Sequence, residues 1–382
     1  MHYLDHSATT PVLPEVKQAM LPFLEDDFGN PSSVHAAGRR AKEAVEDARD
    51  RVANAIGASP AEIVFTGGGT DADNLALKGA AHKLRGNGNH IVTTAFEHHG
   101  VLAPAEWLAG QGFEVTEVPV GSSGVVDPEA LASATRKSTV LVSVMTVNNE
   151  IGTIQPIADI VEAVKSVNPN VLVHTDAVQA LGNLVIDVDL SGVDLAAFSA
   201  HKVGGPKGVG ALFVRSGVPL EPVTHGGGHE RGMRSGTLNV PGIAGFGVAA
   251  EIAAKEVDEK REHVRKLRDG LLAGIREAVP DAVVNGDLER RIATNINICI
   301  PRSEGQIMLL LLDQAGIACS SGSACQSGAV DPSHVLLAIG VSRALAQGSL
   351  RFTLGRRSTD ADVDAVLEVF GDIVAQARKV AA

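Results

Sequence analysis

Three chemically suggestive features of this chain sit where a buried, strand-like segment gives out. Lys202 follows Leu195–Phe198 (LAAF) and lies between His201 and Val203; Asp176 follows Val171–His174 (VLVH); Gly67-Gly68-Gly69-Thr70 follows Glu62–Thr66 (EIVFT) and opens a helix. A lysine at a buried strand mouth is desolvated, which lowers its pKa towards that of a usable nucleophile, although most lysines past strand ends are surface groups. A buried aspartate needs a cationic partner, unless it caps the next helix. The glycine turn is either a nest of backbone N–H groups suited to a phosphate or a tight strand–helix turn capped by Thr70. It is neither a Walker loop nor a dinucleotide fingerprint. Together the three are sharper than apart. A lysine to hold an aldehyde, an acid to keep a ring nitrogen protonated and a phosphate cradle are what pyridoxal 5′-phosphate requires.

Other polar residues cluster at the same kind of place. Glu97-His98-His99 follows His90–Thr94 (HIVTT), Asn148-Asn149-Glu150 follows the run ending at Val147, Gln179 follows Asp176, and Ser199 and His201 precede Lys202. Five strand ends thus converge on one crevice, the usual ligand position in open α/β sheets. His98 could stack on a ring and shuttle protons, though a lone histidine is more often structural. His225-Gly-Gly-Gly-His229-Glu230 has a metal-like spacing, but three glycines disfavour the helix that would align the two rings, and no metal site is expected. Of the three cysteines, Cys299 lies in a strand-like run and reads as core, as does Cys319. Cys325 lies in Ser320–Gly328 (SSGSACQSG), whose small residues lack the side chains that would pin a loop.

The elements that must position these groups alternate. Strands near 62–66, 90–94, 113–118, 139–147, 171–174, 195–198 and 209–214 are separated by helices near 71–84, 103–111, 128–136 and 157–166, which implies an α/β fold with a mostly parallel sheet of about seven strands. Glu251–Val279 has continuous helical spacing and reads as one long helix leading to a smaller α+β unit. The net charge is −12 and aromatic residues make up 3%, so the basic and stacking surface of a nucleic-acid binder is missing. No apolar run is long enough for a membrane span, and Met1–His6 lacks the pattern of a secretory leader. With three cysteines, too few for a disulfide framework, a cytoplasmic protein is expected.

The motifs resemble those of the cysteine desulfurases, class-V aminotransferases of the fold-type-I pyridoxal-phosphate superfamily. The resemblance runs end to end, through Leu4–Thr10, Phe28–Ser33, Thr66–Asn74, Glu97-His98, Val147–Gly152, Asp176–Gln179, Ser199–Lys202, His225–Thr237, Ser320–Cys325 and Leu350–Phe352. It implies a large cofactor-binding domain over 13–257 and a small α+β domain from 1–12 and 258–382 that carries the cysteine loop. Lys202 matches the lysine that binds the cofactor, Asp176 the partner of its ring nitrogen, Gln179 the donor to its ring hydroxyl and His98 the stacking acid–base. Gly69, Thr70, Ser199 and His201 match the phosphate site, and Thr237 a phosphate ligand supplied across a homodimer. Asn149 matches a cofactor contact and, with Arg351, a group that orients the substrate carboxylate, and Cys325 the nucleophile that takes sulfur from L-cysteine. Acceptor proteins, an iron–sulfur scaffold or a tRNA-thiolation protein, are the implied partners. Gly69 stands where many relatives carry alanine, and the chain ends soon after its last helix. Selenocysteine lyase, another class-V lyase or transaminase, and a non-catalytic sulfur relay are the competing readings.

Overall fold

The computed structural model describes residues 1–321 and 332–381; Cys325 and the loop around it lie outside the described residues. A short strand β1 (His2–Tyr3) precedes the seven strands of the main sheet: β2 (Ile63–Thr66), β3 (His90–Thr94), β4 (Glu114–Val118), β5 (Thr139–Ser143), β6 (Leu172–Asp176), β7 (Leu195–Ser199) and β8 (Gly210–Val214). Their order is β2-β8-β7-β6-β5-β3-β4. The strands β4, β3, β5, β6 and β7 are mutually parallel, and β8 lies antiparallel between β7 and β2. This is the mostly parallel α/β sheet expected.

The residue pattern explains the layering. Six of these strands are buried at every position because helices cover both faces; only the edge strand β4, with Glu114 and Glu117, meets solvent. Alternate residues feed two cores, Phe65, Val92, Val142, Phe198 and Phe213 on one face and Val64, Ile91, Leu141, Leu195 and Leu212 on the other. The helix Ala36–Ile56 turns Ala41, Val45, Ala48, Val52 and Ile56 inward at three- and four-residue spacing. It stops at Gly57, whose φ of 71° closes a left-handed cap.

A second sheet has the order β12-β10-β9, from β9 (Val283–Val284), β10 (Asn295–Cys299) and β12 (Ser349–Thr353), all antiparallel. Strand β1 pairs in parallel with β11 (Ile317–Ala318). Leu4, Val264, Leu271, Ile296, Ile298, Leu350, Phe352 and Phe370 pack together in a core of their own.

Two expectations need correction. The long helix over 251–279 is two helices, Val240–Lys255 and Val257–Ala278, which meet at Glu256. The break lets the first pack on Ala36–Ile56 and the second on the last helix, Asp360–Ala381, and Glu256 itself holds Arg356 at 2.7 Å. The strand expected over 139–147 leaves its ladder after Ser143. Val144 and Thr146 still donate to β6, but Asn148 then folds the chain back by accepting from the Glu150 and Ile151 N–H groups. Among the described residues, no helix is long and apolar enough to cross a membrane.

Candidate active site

The carboxyl ends of β2, β3, β5, β6 and β7 open onto one cleft of about 980 Å³, open solvent included. Gly69, Thr70, His98, Asn149, Asp176, Gln179, Ser199, His201, Lys202 and Arg351 all line it. Thr237 does not; it lies exposed at the end of the His225–Thr237 segment. At the glycine turn, Gly68 has φ of 148°, a conformation that favours glycine, and the helix begins at Gly69. A Cβ at Gly69 would lie 2.7 Å from Val178 Cγ2. The glycine here therefore leaves room for the valine two residues beyond Asp176.

Lys202 Nζ donates to the carbonyls of Ser7 and Ala8, the latter at 2.9 Å, and Gln179 Nε2 donates to the same Ser7 carbonyl at 3.0 Å. Asp176 is 5% exposed and accepts from Val178 N–H at 2.9 Å. Burial pushes its carboxyl up, while His98, Val178 N–H and Lys202 pull it back. Burial lowers His98, with Lys202, His99 and His334 adding to the effect and Asp176 opposing it. His98 Nδ1 accepts from Gly100 N–H at 2.9 Å, so the proton of the neutral ring sits on Nε2. Burial, then Lys202 and Lys207, bring His201 down to about 4. Arg351 is 2% exposed; it donates to the Asn149 carbonyl at 2.9 Å and pairs with Asp5 at 2.9 Å. Its Nε, like Asn149 Oδ1, is buried without a hydrogen-bond partner among the described residues.

Several residues here escaped the sequence reading. Asp5, Ser7 and Ala8 act on the site from the N-terminus. Asp73 is 1% exposed, and it shares the floor of the cleft with His98 and Asp176, a ligand atom of each lying within 4.8 Å of the others. Burial, then Asp176 and Glu97, push Asp73 well up. Glu97 is pushed up by burial to about 8. Of these, Glu97 stands at a strand end that the sequence already marks; the others have only their place in motifs. Beneath them His174 lies fully buried, its Nδ1 2.8 Å from Ser143 Oγ, and burial brings its pKa from 6.5 to about 3. An unfolded imidazole protonates near 6.5, whereas this one resists until about 3, so acid favours unfolding from pH 6.5 downwards. By pH 5 the cost is about 2 kcal/mol. Urea midpoints at pH 7 and pH 5 test this: the drop in the wild type should shrink by that amount in His174→Asn, and equal drops refute it.

Cys299 is buried and Cys319 half-buried. Burial raises Cys299 to about 11 and Cys319 to about 12, so both are thiols rather than thiolates at neutral pH. Ser320 pairs with Arg351 through both backbone groups, Ser333 Oγ donates to Glu150, and His334 Nε2 lies 2.8 Å from the Glu97 carbonyl.

The donor set fits pyridoxal phosphate: an amine, a buried acid, an amide, two imidazoles, hydroxyls at a helix start, and a cradle that a Cβ at Gly69 would narrow. Comparison with known proteins points the same way. The aminotransferase class-V family profile matches residues 2–366. The chain is 49% identical over 376 residues to cysteine desulfurase IscS of Methanosarcina thermophila, covering 98% of this chain and 92% of that protein. A solved NifS-like protein superposes with a TM-score of 0.93 at 41% identity, covering 98% of this chain and 99% of the other. A structure described as SspA in complex with cysteine superposes with a TM-score of 0.82 at 35% identity, over 94% and 100% of the two chains. With matches of this length, the chain belongs to the aminotransferase class-V family, on its pyridoxal-phosphate-dependent cysteine desulfurase branch.

Proposed function

We propose that this enzyme converts L-cysteine to L-alanine and holds the released sulfur as a persulfide on Cys325, for delivery to an acceptor protein in iron–sulfur cluster assembly or tRNA thiolation. The observation that carries the reading is one cleft lined by Lys202, Asp176, Gln179, His98, Ser199, His201 and Arg351. Pyridoxal phosphate, when bound, supplies a sink for the electron pair left at the substrate Cα. Lys202, Asp176, Gln179 and His98 hold its ring portion. Gly69, Thr70, Ser199 and His201, with Thr237 of a second subunit, hold its phosphate.

This chain's residues do the rest. Arg351, fixed by Asp5 and the Asn149 carbonyl, takes the substrate carboxylate, with Asn149 beside it. The Lys202 amine accepts the Cα proton, and His98 moves protons at Nε2. Cys325 thiolate attacks the substrate sulfur; an S–S bond forms, the Cβ–S bond breaks, and its electron pair stays with the carbon that becomes alanine's methyl. Cysteine and a protein thiol thus become alanine and a protein persulfide with no external oxidant. Cys325 is the candidate because the resemblance assigns it this place, and burial, which holds the other two cysteines as thiols, supports the choice. Cys325→Ser should retain cofactor and lose alanine production by about 10³-fold or more, whereas Cys299→Ser and Cys319→Ser should stay near wild type. After exposure to L-cysteine, alkylation and peptide mass should put the persulfide on Cys325; a label on Cys299 or Cys319 sinks the assignment.

The same reading gives a cytoplasmic C2 homodimer, with a large domain over 13–257 and a small one from 1–12 and 258–382. The separate core around Phe352 supports the division. An exposed patch supports the dimer: Ser32 Oγ lies 3.4 Å from His229 Nε2, which joins the His225–Thr237 segment to Phe28–Val34, where Phe28 and Val34 stand exposed. Mixed Lys202→Ala and Thr237→Ala subunits should recover one intact site per heterodimer. A fully active monomer in sedimentation rules the arrangement out.

A further inference from the structure

Beside Lys202 lies a second cavity, of about 830 Å³ with open solvent included, that the reaction above does not use. It shares Ser7, Gln179 and Lys202 with the cofactor cleft and runs beneath Leu13, Val203 and Ile252. Lys260 lines it. Its Nζ donates to the Gly182 carbonyl and to Asn183 Oδ1, both at 2.9 Å, which leaves the third N–H without a partner among the described residues. No carboxylate there pairs with it: Glu256, on the same wall, is bound to Arg356 at 2.7 Å. Burial lowers the ammonium to about 8, so at neutral pH it remains mostly charged. Arg357 lines the same cavity from an exposed position. Lys260 is half-buried, and a half-buried cation that faces an open, largely apolar space with a donor unused among the described residues is an incomplete ion pair.

We propose that this cavity is a binding site for a small amphipathic carboxylate, the acid group on Lys260 and the apolar body against Leu13, Val203 and Ile252. The carboxylate completes the ion pair, and Arg357 attracts it at the surface. Because the cavity and the cofactor cleft share a wall, an occupant lies next to the segment that holds Lys202.

Octanoate is the probe, titrated calorimetrically into the holoenzyme. Saturable binding is expected, with octanol (the tail without the charge) and inorganic phosphate (the charge without the tail) each binding more weakly. Lys260→Met should weaken octanoate by about tenfold or more while retaining desulfurase turnover. A second measurement needs no variant: in the wild type, octanoate should slow acylation of Lys260, read by peptide mass, and leave the exposed Lys207 unchanged. The proposal is overturned if octanoate fails to bind, if octanol binds as well, if Lys260→Met binds octanoate unchanged, or if Lys260 is not protected. None of these outcomes bears on Cys325 or on alanine formation.

Discussion

Lys202→Ala is expected to yield a folded protein that no longer carries its cofactor on a reducible lysine bond and turns over L-cysteine at least about 10³-fold more slowly. The size of the effect follows from Lys202 holding two tasks at one atom, attachment of the cofactor and acceptance of the Cα proton. No other described lysine lines the cofactor cleft. The substitution also strips the carbonyls of Ser7 and Ala8 of a charged donor, which costs stability by about 1–3 kcal/mol. Borohydride reduction followed by peptide mass spectrometry, alongside alanine production, checks both halves. A cofactor mapped to a different lysine, or turnover within tenfold of wild type, refutes the assignment.

The largest expected loss of stability lies outside the cleft, at Glu230. Its carboxylate forms a two-pronged pair with Arg49, at 2.8 and 2.9 Å, and accepts from Phe65 N–H at 2.7 Å; side-chain exposures are 5% for Arg49 and 1% for Glu230. Arg49 also donates to the Ile63 carbonyl at 2.8 Å and lies over the Phe65 ring. The pair thereby ties the His225–Thr237 segment to β2, the strand that ends at the glycine nest. Glu230 and Arg231 have φ of 46° and 55°, a left-handed bend held by this pair and by Arg231 donating to the Ile63 carbonyl at 2.6 Å. Glu230→Ala leaves the buried guanidinium to the exposed Glu46 alone, 3.2 Å away, and should cost about 3 kcal/mol in urea unfolding, with Glu230→Gln intermediate. A loss below about 1 kcal/mol, the range of a solvent-exposed pair, is the refuting result.

What could be read in advance divides along physical lines. Strand runs such as His90–Thr94 were legible because β-branched residues buried on both faces leave little ambiguity, and the residues just beyond them were legible as a site because the topology sends every parallel strand end to one edge. Asp5 and Glu230 were not, because each acts through a partner remote in sequence, Arg351 and Arg49, and spacing carries no trace of such a pairing. Asp73 and Glu97 stood in familiar motifs, but their burial came only with the fold. The break at Glu256 was hidden because helical periodicity runs straight through it; what decides it is which helices lie on either side. The Cys325 assignment rests on the resemblance and on the other two cysteines being held as thiols.

The N-terminal segment also sets when the enzyme can first work. Ser7 N–H bonds Thr353 Oγ1 across 346 residues of sequence, and among the described residues β1 pairs with β11 alone. The carbonyls that steady Lys202 are therefore out of place until the last quarter of the chain has been made. At roughly 5–20 residues per second, a nascent chain spends about 7–28 seconds with its main sheet free to fold and its lysine unsupported. Activity arrives late and all at once, when the first residues made meet some of the last. A chain cut short near residue 340 keeps every group at the five strand ends and lacks both Arg351 and the strand that closes over them.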